Sequence, residues 1–497
     1  MYINRVNDNR SPIVRDLNTM RTQMADLQRQ LGTGVKAETY GQLGRDRSVV
    51  VALHARREAV SAFQQTTSLI STRLKVADTA LTGISTTMSQ LRSTINPNDY
   101  TLLSDGQTSH QSHASQAMEE VLSMLNTDVA GRYVFGGKNL EEAPVIGSSA
   151  IMNGEGTKAG LLTVVDQRRQ ADLGADGRGR LTVVNAGAAV TLAEDGSHPF
   201  GFKLSTATSS TAAVTVSGPS GSPPSLSATV ATQPNLGDTL AVELALPDGT
   251  KTLVTLTFTD GTGATTNGVV LGADATATAA NLTTALGTAL EKAGQTSLES
   301  ASAIKAARGF FDTFQGKPPE RVAGPPYATA TAVRDGSDDT VAWYRGDQTA
   351  TDPRHDATAR VDNGVTVKYG VRANEAPFVE LMANLGAMVA SDFSGGSEID
   401  KDHSMDFASR LRSNIALTST SKSVASIQVE LASAAKTTKT IETRLKSTKA
   451  TVDELIDEKE GVDKNEVAVM LLELQTRMQA SYQATSIMAN LNLTDYL

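Results

Sequence analysis

The sequence predicts an α+β chain: long N- and C-terminal helices paired in a coiled-coil-like bundle, with a β-rich region inserted between them. Three observations lead there. Apolar residues near the start recur every seven residues, apolar residues near the end do the same, and the stretch between them turns to Gly, Ser, Thr and Val alternating with a period of two. A seven-residue repeat marks a helix that packs along a narrow seam against another helix. Period-two alternation marks half-buried strands. At 497 residues the chain exceeds the roughly 250 to 300 at which single cores stop growing, so more than one domain is expected.

The first stripe runs through Ile3, Val6, Ile13, Leu17, Met20, Met24, Leu27 and Leu31, with Arg10 as its break. Gly32 and Gly34 are placed to end that helix, because glycine accepts the left-handed conformation that closes one. A second stripe keeps one register through Val49, Leu53, Val60, Phe63, Ile70, Leu74, Ala77, Leu81, Ile84, Met88, Leu91 and Ile95, interrupted at Arg56 and Thr67. At ~1.5 Å per residue this helix is roughly 70 Å long. Asn96-Pro97-Asn98-Asp99 is a turn sequence that stops it. A third helix is expected from Thr108 to Ala130 on Met118, Val121, Leu122, Leu125 and Val129, with Gly131 placed to close it.

The C-terminal end mirrors this plan. Leu417, Val424, Ile427, Leu431, Ala434, Ile441, Leu445, Val452 and Leu455 share one register, filled in by Thr420, Thr438 and Thr448. After Gly461, Asp463 followed three residues later by Glu466 resembles a capping box. The last helix then carries Val467, Met470, Leu471, Leu474, Met478, Tyr482, Met488 and Leu491.

In the middle, the clearest hairpin pairs Leu240 to Leu246 with Thr252 to Thr259 across Pro247-Asp248-Gly249. A helix from Asp274 to Lys292 follows, with Leu282, Leu286 and Leu290 facing that sheet. Ser217 to Ser227 is rich in Ser, Pro and Gly and reads as a loop or linker. The expected organisation is therefore terminal assembly helices at 1–35 with 462–497, a helical bundle domain at 36–150 with 360–461, and an inserted β-rich region at 151–359 with room for two subdomains.

Composition narrows the function. Aromatic residues make up 4% of the chain and tryptophan occurs once, so apolar material comes from Ala, Val, Leu, Ile and Met, which suits helical seams better than one deep core. The net charge of -9 is spread without long basic runs and gives no electrostatic footprint for nucleic acid or an anionic membrane. Cysteine is absent, which excludes disulfides and thiolate chemistry. The first residues lack the pattern of a cleavable secretory signal. No window reaches the ~18 apolar residues of a membrane span.

Nothing points to an enzyme. Of the histidines His54, His110, His113, His198, His355 and His403, only His110 and His113 lie close in sequence, which makes no metal site. Gly174 to Gly179 lacks the Lys-Ser/Thr ending of a phosphate loop and reads as a hairpin turn. Arg345-Gly346-Asp347 matches an adhesion tripeptide, a match short enough to arise by coincidence. Asp453, Glu454, Asp457, Glu458 and Glu460 read as the solvated side of a helix end. No catalytic residue, metal or cofactor is expected.

A narrow apolar seam needs a partner, since each Leu or Ile left in water forgoes roughly 1.5 to 3 kcal/mol. For the long inner helices the partner is expected within the chain, along a bundle seam of Leu74, Leu81, Ile84, Met88, Leu91, Ile427, Leu431, Ile441, Leu445 and Val452. For the terminal helices it is expected in neighbouring copies, along an assembly seam of Ile3, Val6, Ile13, Leu17, Met20, Met24, Leu27, Leu31, Val467, Leu471, Leu474, Met478, Met488 and Leu491. Helices without tertiary packing are marginal in water, so these ends are expected to order as copies pack together.

Several motifs resemble the flagellin family, and within it the hook-associated junction members. These are Gly131-Arg132-Tyr133-Val134-Phe135-Gly136-Gly137-Lys138, the run Trp343-Tyr344-Arg345-Gly346-Asp347, the segment from Val361 to Glu375, and the ending from Ala480 to Leu497. At the first bend the chain departs from the family, reading Gly32-Thr33-Gly34-Val35-Lys36 where a Ser-Gly-rich turn is usual. The resemblance implies a structural, non-enzymatic subunit of the bacterial flagellum that joins hook to filament. A filament flagellin is the alternative in the same class, and a surface adhesin using the β-rich middle is the alternative in another. It further implies an extracellular location reached without signal cleavage. The implied partners are copies of the chain, the hook, a neighbouring junction protein, flagellin and an export chaperone, with no nucleic acid and no membrane.

Overall fold

The computed structural model describes residues 12–262, 267–349, 352–416 and 423–494. The fold is α+β. Its helices are α1 (Pro12–Thr33), α2 (Arg47–Thr94), α3 (Ser109–Leu125), α4 (Ser148–Asn153), α5 (Leu161–Leu173), α6 (Ala275–Ala293), α7 (Glu299–Phe311), α8 (Ala376–Ala390), α9 (Glu398–Ala416), α10 (Val424–Glu460) and α11 (Lys464–Thr494). By its contacts the chain divides into two compact units, one within Met1–Ile70, Arg360–Thr366 and Thr437–Leu497, the other within Ser71–Ala359 and Val367–Lys436. The division falls inside α2 and α10, whereas the boundaries expected from the sequence are 35/36, 150/151, 359/360 and 461/462.

The first unit contains α1, a 3₁₀ segment Tyr40–Asp46, the first part of α2, the last part of α10 and α11. Val60 and Ile70 of α2 and Ile441, Leu445 and Val452 of α10 are buried. His54 Nε2 lies 2.9 Å from Glu460 Oε1 and joins α2 to the end of α10, so Glu460 is a paired residue and not one more solvated acid. Two stripe positions are one residue off. Val49 is 46% exposed while Val50 is buried, and Leu455 is 39% exposed while Ile456 is buried. A straight helix drifts by ~20° per heptad against a strict seven-residue repeat, which along α10 moves the buried position on from Leu455 to Ile456; the shift from Val49 to Val50, toward the start of α2, runs against that drift and is not explained by it. Thr67, an interruption in the stripe, is fully buried, and its hydroxyl donates to the Phe63 carbonyl at 2.7 Å. A threonine can occupy an apolar seam because the carbonyl four residues back satisfies it. Leu417 and Thr420 lie outside the described residues.

In the second unit α3 opens with a capping box: the Thr108 hydroxyl accepts from Gln111 N at 3.2 Å, and Gln111 Oε1 accepts from Thr108 N at 2.9 Å. The helix ends at Leu125, short of the Ala130 expected from the sequence. Asn126 turns its side chain to the Val145 backbone, accepting from N at 3.1 Å and donating to O at 2.9 Å. Asp128–Val129 and Arg132–Tyr133 then form a tight hairpin in which Ala130 and Gly131 both take positive φ, +54° and +76°. Gly131 thus makes a hairpin turn and not a helix cap.

The β-rich part uses two four-stranded sheets. Its strands are β1 (Leu181–Ala186), β2 (Ala189–Glu194), β3 (Lys203–Ser209), β4 (Val214–Ser220), β5 (Ser225–Val230), β6 (Thr239–Ala245), β7 (Lys251–Thr259) and β8 (Gly268–Val270). One sheet runs β1-β2-β5-β4 and the other β8-β7-β6-β3. The expected hairpin is present as β6 and β7, with Leu240 opposite Leu256, Val242 opposite Val254, and Gly249 at φ +89° in the turn. Helix α6 is capped by Asp274, whose carboxylate accepts from Ala277 N at 2.8 Å. Its Leu282, Leu286 and Leu290 enter one core with Val190, Leu192, Leu240, Val242, Leu256 and Phe258.

Two expectations for this part are corrected. Ser217 to Ser227 is not a linker: β4 and β5 pair through it, with Val214, Leu226, Ala228 and Val230 on the core side. One apolar face suffices for a strand, so the Ser, Gly and Pro on its other side hid it. Gly174 to Gly179 connects α5 to β1 and is no hairpin turn; Gly174 ends the helix at φ +74°, and a Cβ on Gly179 would sit 2.2 Å from the Phe202 ring.

His403 on α9 is buried, its ring 4.7 Å from that of Phe393 and its Nδ1 3.6 Å from Glu299 Oε2. Burial pushes its pKa down to about 4. The unfolded histidine binds a proton near its ordinary value of ~6.5 and the folded one only near 4, so this contribution is full above pH 6.5 and is lost as pH falls through the folded pKa. At ~1.36 kcal/mol per unit the whole effect is about 3 kcal/mol. Urea midpoints measured from pH 7 to 4.5 are expected to fall more steeply for the parent than for His403→Gln, and parallel curves would count against this assignment.

Candidate assembly surface

Helix α1 presents Leu17, Met20, Met24, Leu27 and Leu31 on one side, all half-buried. Helix α11 packs against it. Asp463 starts α11, its carboxylate accepting from Asn465 N at 2.8 Å and from Glu466 N at 3.4 Å. Val467 and Leu474 of α11 are buried, and Leu471 and Met478 are half-buried. Further along the pair, the Arg21 guanidinium donates to Tyr482 Oη at 2.8 and 3.0 Å. Between the two helices a groove of about 270 Å³ remains, with Leu27, Met470 and Leu474 along it and Asp26, Glu473 and Arg477 at its edges. Ile3 and Val6 lie outside the described residues, as do the side chains of Ile13, Met488 and Leu491.

The bundle seam is placed differently. Leu74, Leu81, Ile84, Met88 and Leu91 of α2 and Ile427 and Leu431 of α10 are buried in the second unit. Gln428 Nε2 of α10 donates to Thr82 Oγ1 of α2 at 3.1 Å. Ile441, Leu445 and Val452 are buried in the first unit. Where the bundle positions are covered, the terminal seam is covered in part.

A second apolar strip on α11 escaped the sequence reading. Val469 is 65% exposed, and Leu472 and Ile487 are each 61% exposed. At 3.6 residues per turn these three lie together, on the side away from Val467, Leu471, Leu474 and Met478. The same side carries the exposed Glu473, Thr476 and Gln483, and among the described residues α1 covers the opposite side only. Val469, Leu472 and Ile487 fall off the seven-residue register, and Ile487 stands about five turns beyond Val469 with polar residues between them.

The segments Gly131 to Lys138, Trp343 to Asp347 and Val367 to Glu375 meet in the second unit around Arg372, which is fully buried. Its guanidinium forms a bidentate pair with the buried Asp356, and Asp347 Oδ2 lies 3.8 Å from Nη2. Arg372 N donates to Glu375 Oε1 at 2.8 Å, and Glu375 also receives the Arg354 guanidinium. Backbone bonds bring the segments together: Ala373 N donates to Phe135 O and Asp347 N to Gly136 O, each at 2.9 Å. Gly137, at φ +66°, passes so close that a Cβ there would lie 3.1 Å from the Asp347 and Asp356 side chains. This arrangement decides the adhesion tripeptide, because Asp347 turns its carboxylate inward and accepts from Thr349 N at 2.9 Å.

Among the described residues no group of three or more His, Asp or Glu lies together in a way that could hold a metal ion, and no helix is long and apolar enough to cross a membrane. No protein-family model matches the chain, and no curated protein matches it either.

Proposed function

We propose that the chain is a non-enzymatic structural subunit of the bacterial flagellum, joining hook to filament by helical polymerisation through α1 and α11. The observation that carries this reading is the strip Val469, Leu472 and Ile487, left exposed on a helix whose opposite side is already packed. Apolar side chains left exposed on a helix gain from a partner that buries them, and among the described residues the chain supplies a partner for the opposite side only. Neighbouring copies supply the other. The finer architecture belongs to the same reading: α1 with α11, and α2 with α10, pair as coiled-coil-like seams.

The choice of the flagellum, and of its hook-filament junction, rests on the motif resemblance at Gly131 to Lys138, Trp343 to Asp347 and Val361 to Glu375. In this reading the subunit is exported without signal cleavage, is held by an export chaperone on the way, and meets the hook, a neighbouring junction protein and flagellin outside the cell. Electron microscopy of flagella from a strain lacking the chain tests it. Bare hooks with filament protein shed into the medium are the expected result. Hooks with no filament protein made or shed would assign the chain to the filament itself, and intact flagella would overturn the reading.

A further inference from the structure

The break between α1 and α2 and the break between α10 and α11 are joined to one another through their backbones. Val35 and Gly461 form an antiparallel bridge. Lys36 N donates to Glu460 O at 2.7 Å, and Val462 N donates to Gly34 O at 3.1 Å. Side chains reinforce the link. Lys36 Nζ donates to the carbonyls of Glu458 and Lys459 at 2.9 and 3.3 Å, at the end of α10, where the helix dipole favours a cation. Arg29 of α1 donates from Nη2 to Lys36 O at 3.0 Å.

Both breaks turn on glycines. Gly34 sits at φ +75°, and a Cβ on Gly461 would lie 2.4 Å from the Asp457 carbonyl. Beside them is a groove of about 500 Å³ walled by Val35, Tyr40, Leu43, His54 and Glu460. Turning the backbone at one break strains hydrogen bonds that belong equally to the other. Beyond the joint, α1 and α11 hold each other through their seam and through Arg21 and Tyr482.

We propose that this joint is a coupled hinge: α1 and α11 swing as one body against α2 and the end of α10. Gly34 and Gly461 are the pivots, and the hydrogen bonds from Lys36 and Val462 keep the two pivots in step. The groove leaves space for the movement. The hinge is independent of the flagellar reading, since it concerns one copy of the chain.

The absence of cysteine makes distance measurement by paired spin labels direct. Labels go on the full chain, two at a time, at Gln28→Cys in α1, Gln475→Cys in α11 and Ala52→Cys in α2, all exposed positions. At ~1.5 Å per residue Gln475 lies roughly 16 Å along α11 from its start, so a swing of ~20° moves its label by about 6 Å. The expected result is a narrow distribution between 28 and 475 and broader ones from each of them to 52. Lys36→Pro, which removes one ladder hydrogen bond and the ammonium but leaves Gly461 untouched, is expected to broaden both distances to 52 together. Lys36→Met, which keeps the backbone bond, is expected to broaden both by less. A change confined to the distance from 28 to 52 would overturn the coupling. Distances to 52 as narrow in the parent as that between 28 and 475 would overturn the hinge, and so would a broad distribution between 28 and 475 in the parent.

Discussion

The double substitution Leu472→Glu and Ile487→Glu is expected to abolish polymerisation while leaving the single molecule intact. Both side chains are already about three-fifths exposed, so in the monomer each change falls in the class of surface substitutions that alter stability by no more than ~0.5 kcal/mol. In a polymer that covers this face, each loses the burial of its exposed three-fifths, roughly 1 to 2 kcal/mol. The two together amount to ~2 to 4 kcal/mol, which at ~1.4 kcal/mol per tenfold raises the critical concentration by about 30- to 700-fold. Sedimentation of polymer against total concentration measures it, with thermal melting of the monomer as the control. Assembly at the parent's critical concentration would show that this strip is not an interface. Val467→Glu makes the contrast, because Val467 is buried and its replacement is expected to lower monomer stability as well.

The largest expected effect on stability is that of Arg372→Leu. It leaves Asp356, which is fully buried, and Asp347 without their cation. Removing one partner of a buried ion pair costs about 3 to 5 kcal/mol, because the remaining charge stays in the interior uncompensated. Urea unfolding is expected to show a loss of that size. The double variant Arg372→Leu with Asp356→Leu is expected to recover much of it, since no lone carboxylate remains at that position. A loss below ~1 kcal/mol in the single variant would mean that Asp356 reaches water or a proton more easily than its burial implies.

Much of the helical part was legible in the sequence because periodicity is a local property. Ile84, Leu91, Ile427 and Leu445 announce buried positions by spacing alone, and each is buried. The hairpin at Pro247-Asp248-Gly249 and the cap at Asp274 were legible for the same reason: turn and cap chemistry sit within a few residues. Errors arose where a local pattern was carried too far. Val129 continued the spacing of α3 but belongs to a hairpin, and Leu455 kept a register that α10 had drifted out of. Polar composition misled at Ser217 to Ser227, where the apolar face of β4 and β5 was diluted by Ser, Gly and Pro on the other side.

The sequence by itself determined most seam positions of α2 and α10, the hairpin at Pro247-Asp248-Gly249 and the start of α6 at Asp274, since these follow from spacing, caps and turns along a short length of chain. Only the tertiary structure decided which helix faces are covered. Covering a face takes residues from far along the chain: Arg372 finds Asp356, Ala373 finds Phe135, Lys36 finds Glu460, and α1 reaches one side of α11. Burial is a property of neighbours in space, and spacing along one helix carries no record of them.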